Sequence, residues 1–169
     1  AIPASTFNAR NTLHQGIEAA LSLDIGEMTG ITHEDKLILE QVYTYAEARF
    51  ENDATYGDND LAGSTPHVYT AALRYRSSDG WDIAPKVDWV PDGGYVDYAN
   101  TQKSPSYAMY GIEGGVDVTP ALRLFVEGRN LTDEHAVTSY TTVTTYVPNS
   151  LIFYPADGRA VYAGFTASF

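Results

Sequence analysis

The residues able to do chemistry are few, and they do not converge. His14, His33, His67 and His135 lie far apart in the chain, and no pair has the short spacing of metal ligands on a helix or turn. They read as solvent-facing or hydrogen-bonded polar residues. The run His33-Glu34-Asp35 lacks the second histidine of a zinc-protease helix. Asp58-Asn59-Asp60 with Gly63 partly matches a calcium loop. However, Ala62 takes the fifth position and no acidic residue follows at the twelfth, so the stretch reads as a solvated acidic loop. Asn130-Leu131-Thr132 has the form of a glycosylation sequon, read as accidental. The absence of cysteine removes disulfides and thiolate metal sites. These residues predict no enzyme, no metal centre and no cofactor.

The charge balance narrows the partners. Ten basic residues against 22 acidic ones give a net charge of -12, which argues against nucleic-acid binding, since that needs basic patches. What charge there is follows a pattern. Arg74, Arg76, Lys86, Asp88, Glu113, Asp117, Arg123, Glu127 and Arg129 each alternate with apolar or small neighbours. Both signs on one face and apolar groups on the other is the pattern of a transmembrane barrel wall with a polar lumen.

The elements that would position these charges are strands. Ile17, Ala19, Leu21 and Leu23 alternate with Glu18, Ala20, Ser22 and Asp24. Leu37–Phe50 puts Leu37, Leu39, Tyr43 and Tyr45 on one face, with Gln41 interrupting it. Tyr69, Ala71, Leu73 and Tyr75 alternate with Thr70, Ala72, Arg74 and Arg76, and a tight turn follows at 77–80. Trp81, Ile83, Val87 and Trp89 face away from Asp82, Lys86 and Asp88, with Pro85 inside the strand. Ala108 to Val118 and Leu122 to Arg129 continue the pattern around Thr119-Pro120. At the end, Val161, Ala163, Phe165, Ala167 and Phe169 oppose Ala160, Tyr162, Gly164, Thr166 and Ser168. Side chains alternate faces along a strand, so each of the seven segments has one apolar face. Ile25 to Asp35 is expected to be a polar turn without a helix, because Gly26, Thr29 and Gly30 interrupt helical periodicity. The threonine-rich sequence up to Tyr146 is read as a possible extension of the sixth strand.

Long loops at 52–66, 91–105 and 141–158 alternate with tight turns at 77–80 and 119–120. The long loops therefore all emerge at one end, the asymmetry of membrane barrels. No run approaches the roughly 18 apolar residues of a membrane helix, and mean hydropathy is -0.24. Barrel strands are only half apolar, so this value suits them as well as a soluble sheet. Thirteen tyrosines fit surfaces where apolar groups meet water. An odd strand number would leave first and last strands parallel if they met, so the chain is expected to be part of a larger barrel. Ala1 opens no charged and apolar leader, which predicts a removed signal or a start inside a longer protein.

Several motifs then resemble those of TonB-dependent outer-membrane receptors. Asn8 to Glu18 (N-A-R-N-T-L-H-Q-G-I-E) is similar to a strand opening of that family, and L-I-L-E-Q-V-Y-T-Y at 37–45 to another of its strands. D-W-V-P-D-G-G-Y-V-D-Y-A-N-T at 88–101 resembles a strand-and-loop segment. L-F-V-E-G-R-N-L-T-D at 124–133 resembles the penultimate strand, and Y-A-G-F-T-A-S-F at 162–169 the last. The resemblance implies an all-β, antiparallel up-and-down meander of about seven strands, the last third of a roughly 22-stranded transmembrane β-barrel. It covers 1–169 as one barrel segment, without the plug domain and TonB-contacting segment. It implies a bacterial outer-membrane site and a parent protein that takes up a ferric siderophore or other scarce nutrient, energised through TonB. Implied partners are outer-membrane lipid, the plug, TonB, a metal-chelate or other small ligand, and the barrel-assembly machinery reading Phe169. The inward charges would face the plug. Tyr56, Asp58, Asp60, Tyr95, Asp97, Tyr98, Tyr140 and Tyr146 would supply ligand contacts from the outer loops. Two other readings stay open: a secreted all-β binding module with its apolar faces in a sandwich, and a small complete outer-membrane barrel.

Overall fold

The computed structural model describes residues 11–31, 34–150 and 153–169. His33 and the motif residues Asn8 to Arg10 lie outside the described residues. Seven strands form one sheet: β1 (Thr12–Asp24), β2 (Lys36–Phe50), β3 (His67–Arg76), β4 (Trp81–Val90), β5 (Tyr107–Thr119), β6 (Leu122–Arg129) and β9 (Ala160–Ala167). Their order is β1-β2-β3-β4-β5-β6-β9, and every neighbouring pair is antiparallel. The tight turns at 77–80 and 120–121 can join only antiparallel neighbours, and the longer connections also return the chain to the adjacent position in the sheet.

Register carries the alternation across the sheet. Ile83 pairs with Gly114, Gly114 with Val126, and Val126 with Ala163, a row on the apolar face. Between these residues lie Asp82, Glu113, Glu127 and Tyr162 on the charged face. A slip of one residue in any pair would exchange the two faces. Pro85 is tolerated: it has Ile112 as its partner on β5, and the β3–β4 ladder breaks between Ala72–Lys86 and Tyr75–Ile83. The missing donor therefore falls where a ladder bond is already absent.

The sheet is a single layer. Among the described residues the buried hydrophobic set is only Phe50, Ala84, Val90, Val96 and Ala136. By contrast Val161 and Phe165 are 69% and 70% exposed. A soluble domain covers its apolar face with a second layer, and among the described residues the one further sheet is a two-stranded hairpin that leaves the large residues of this face exposed. This removes the sandwich reading. β1 and β9 lie at opposite edges, so the described residues do not close into a small complete barrel either.

Two local expectations are corrected. Ile25–Thr29 forms a short helix, α1. The Asp24 side chain caps it by accepting from the Glu27 amide at 3.1 Å, and Gly30, at φ 68°, closes its end. The glycine that breaks the periodicity is the one that ends the helix. The threonine-rich stretch does not extend β6, which stops where Asn130 turns left-handed at φ 46°. Instead β7 (Val137–Tyr140) pairs with β8 (Phe153–Pro155) as a separate small hairpin. Connections 25–35, 77–80 and 120–121 thus gather at a turn end, and 51–66, 91–106 and 130–159 at a loop end.

Aromatic rings mark two levels on the apolar face. Tyr75 and Trp81 lie 5.1 Å apart near the turn end. Tyr69 and Trp89 lie 6.2 Å apart near the loop end, edge to face. His67 joins the upper level, 5.2 Å from the Tyr45 ring, with its Nδ1 2.9 Å from the Tyr43 hydroxyl. Only aliphatic and small residues (Ala71, Leu73, Ile83, Pro85 and Val87) occupy the apolar face of β3 and β4 between these levels.

Candidate functional site

Period-two alternation places charges from five strands side by side, and they neutralise one another within the wall. Arg74 on β3 reaches Glu40 on β2 at 3.5 Å, Asp82 on β4 at 3.4 Å, and Glu113 on β5. Arg123 on β6 contacts the same Asp82 and holds Asp117 at 3.0 Å. Lys86 bridges Glu127 at 2.6 Å and Glu113 at 3.6 Å, and Arg129 takes the other oxygen of Glu127 at 2.8 Å. Five carboxylates meet four cations in one net crossing β2 to β6. The Asp82 side chain is only 5% exposed, which is tolerable because two guanidiniums face it. Asp88 accepts from Thr70 at 3.0 Å, and Arg76 lies opposite Lys36 and Asp82 on the same face.

Above the wall, the loops are joined to each other. Asp97 is fully buried. One of its oxygens accepts from the Thr101 and Gln102 amides at 2.9 and 3.1 Å; the other accepts from the Thr101 hydroxyl at 2.6 Å and the Tyr146 amide at 3.0 Å. Burial by itself would raise the pKa of this carboxyl, but the hydrogen bonds from Thr101, Tyr146 and Gln102 together outweigh it and hold the group below its ordinary value. Backbone bonds continue the joint: Tyr98 and Ala99 amides donate to Val143 and Thr144 carbonyls, both at 3.0 Å. The first loop is tied in by Asn59, whose side-chain amide donates to the Tyr98 carbonyl at 2.9 Å. Asn100 pairs reciprocally with the Asp60 backbone at 2.8 and 2.9 Å. Gly94 approaches so closely that an added Cβ would stand 1.9 Å from the Ser64 carbonyl oxygen.

The eight loop residues expected to contact a ligand divide into glue and surface. Tyr56 and Tyr98 pack with Phe50 in an aromatic cluster, with ring centroids 5.1 to 5.9 Å apart. Tyr146 gives its amide to Asp97, and the Tyr140 hydroxyl donates to the Tyr95 carbonyl at 3.4 Å. Burial pushes the Tyr140 phenol pKa up. The Tyr95 ring lies under Lys103, 5.0 Å from its Nζ. Asp58 and Asp60 stay exposed, Asp58 accepting from the Asn52 amide at 2.9 Å. Among the described residues no three His, Asp or Glu side chains converge as metal ligands. Sequence reading missed the loop-tying roles of Asn59, Asn100 and Asn130; abundant loop asparagine was the available signal. Asn130 is 6% exposed, with its amide given to the Glu134 and Asp157 carbonyls, which closes the sequon to modification.

A pocket of about 540 Å³ opens on the charged face beneath the β7–β8 hairpin, lined by Lys86, Asp88, Glu127, Arg129, Asp157 and Tyr162 among others. Arg129 lies 5.0 Å over the Tyr162 ring. Its size falls in the small-molecule range. It offers cations, carboxylates and an aromatic face together, groups that suit a polar ligand.

A family model described as "TonB dependent receptor-like, beta-barrel" matches residues 2–131. The chain belongs to this TonB-dependent receptor barrel family. Solved structures share the fold of the segment. The unliganded ferric citrate transporter FecA is 21% identical over 92% of this chain, with a TM-score of 0.75. The siderophore receptor PiuA from Acinetobacter baumannii is 21% identical over 92%, at 0.69. The copper transporter OprC is 16% identical over 94%, at 0.70. This receptor-barrel segment spans about a quarter of each: 24%, 22% and 24%. No curated protein sequence matches it.

Proposed function

We propose that this chain is the wall of an outer-membrane nutrient receptor, about the last third of a roughly 22-stranded barrel. The observation that carries the reading is the single-layer sheet, with an apolar face banded by two aromatic levels and an opposite face of mutually paired charges. Lipid would cover the first face and a plug the second. The parent receptor would bind a scarce nutrient at the loop end and import it with energy delivered through TonB. A metal chelate is the favoured cargo, since the three similar structures are a ferric citrate transporter, a siderophore receptor and a copper transporter. This segment would contribute wall and loops to that cycle and would not transport alone. Exposed Asp58 and Asp60 and the pocket under β7–β8 are the proposed ligand-facing groups.

Uptake of radiolabelled ferric chelates by cells making the intact receptor tests this reading. Accumulation that disappears when TonB is deleted is the expected result. Fractionation of the receptor with soluble proteins, or folding of the chain as a monomer without detergent, would overturn it.

A further inference from the structure

The apolar face is not uniformly smooth. Its rows run Trp81–Val116–Leu124–Phe165, then Ile83–Gly114–Val126–Ala163, then Pro85–Ile112–Gly128–Val161. Gly114 and Gly128 are diagonal neighbours in this lattice, so two missing side chains cut a continuous trough through a field of branched ones. The trough encloses about 560 Å³, and Trp81, Ile112, Leu124, Val126, Leu131 and Val161 are among its walls. The acidic neighbours Asp82 and Glu113 project to the other face, into the ion-pair net. Gly114 is not readily filled in, since a Cβ there would stand 2.8 Å from the Asp82 carbonyl oxygen; a Cβ on Gly128 would stand 2.9 Å from Leu131 Cδ2, the movable end of a side chain.

We infer that this trough holds one acyl chain of a phospholipid from the leaflet at the turn end. The inference rests on the membrane-wall reading above. The trough continues the lipid-covered band, and Trp81 ends it at the turn-end aromatic level. Indole rings favour the headgroup boundary, so a chain entering at Trp81 has its headgroup at that level. Lipid tails are as apolar as leucine, and no hydrophobic gain distinguishes one wall site from another. Retention instead comes from close van der Waals contact, and the trough surrounds a chain where the flat wall touches it on one side. Its apolar lining leaves no anchor for a polar partner.

Photo-crosslinking in the intact receptor tests the assignment. A benzophenone side chain replaces Val161, on the trough rim, or Ala71, on the apolar face outside it. Both proteins are reconstituted in vesicles of phosphatidylethanolamine and lipopolysaccharide. They are irradiated before or after extensive detergent washing, and the adducts are identified by mass. The expected result is phospholipid adducts at both positions before washing. After washing, retention should be on the order of tenfold greater at 161 and lost when Val126→Trp fills the trough. Equal loss at both positions, retention unaffected by Val126→Trp, or a retained lipopolysaccharide chain would each overturn the acyl-chain site. Absence of any lipid adduct before washing would overturn the membrane-wall reading itself, and so separates the two failures.

Discussion

Asp97 is the keystone of the loop cap, and Asp97→Asn isolates its charge with almost no change in volume. The amide oxygen can keep the Thr101 and Gln102 amides, now 2.9 and 3.1 Å from one carboxylate oxygen. The Thr101 hydroxyl can rotate and accept from the new NH2 group. The Tyr146 amide cannot adapt, because its acceptor becomes a donor at 3.0 Å. A lost hydrogen bond to a charged group, leaving a donor unsatisfied in a buried site, costs about 2 kcal/mol. That is roughly a 30-fold rise in local opening. Hydrogen–deuterium exchange on the folded receptor in nanodiscs is the assay, since exchange reads local opening free energy. Amides of 97–102 and 143–146 should accelerate together, while the β3–β5 ladder amides stay unchanged. Acceleration at 101–102 alone would refute the idea that Asp97 joins two loops. The pH dependence has a definite sign. A carboxyl held below its ordinary value of 3.8 contributes stability above that value and loses it as pH falls through the folded-state pKa. Wild-type opening in these loops, read as exchange normalised to the intrinsic rate at each pH, should therefore rise at acid pH below about 4, and the Asn variant should lack this acid-dependent part.

Three other perturbations probe the remaining joints. Gly94→Ala places a Cβ against the Ser64 carbonyl; it should open the same loops by about 2–4 kcal/mol and exceed Asp97→Asn in exchange. Arg74→Met leaves Glu40, Asp82 and Glu113 facing one another. It should lower unfolding stability in urea by about 2–3 kcal/mol, after allowing for water at this partly open face. Adding Glu113→Gln should recover part of that loss, and no recovery would contradict the shared net. At the turn end, Asp35 accepts from the Tyr75 hydroxyl and from both the amide and hydroxyl of Ser78, at 2.8 and 3.0 Å for the latter. The Tyr75 and Ser78 bonds lower the Asp35 pKa. Asp35→Ala should speed proteolysis at 77–80, and the wild type should approach the variant only as pH drops through that lowered pKa.

Local rules carried the strands. Period-two alternation, turn residues and hairpin-length connections act within a few positions, and they placed seven strands and both faces of the sheet, including the set around Arg74, Lys86 and Glu127. Those same rules favoured part of a larger barrel, through loop asymmetry and an odd strand count, but left the sandwich and the small closed barrel open. That choice depends on what covers the apolar face, and only the single-layer arrangement with β1 and β9 at opposite edges decided it. Helix α1 escaped for a different reason: five residues held by caps at Asp24 and Gly30 show too little periodicity to detect.

Which charges meet, and whether a loop residue is glue or surface, was a tertiary matter. Arg74 and Glu113 are 39 residues apart, and Asp97 and Tyr146 are 49 apart. Nothing local marks such partners, because strand register and loop stacking bring them together. Asp58 and Asp97 look equivalent as written in the chain. One is exposed and the other is fully buried beneath two loops. Composition and alternation determined what kind of wall this chain makes, since those effects are short-ranged and repeat along every strand. Which of its polar groups remain free for a ligand was decided by contacts between segments distant in sequence.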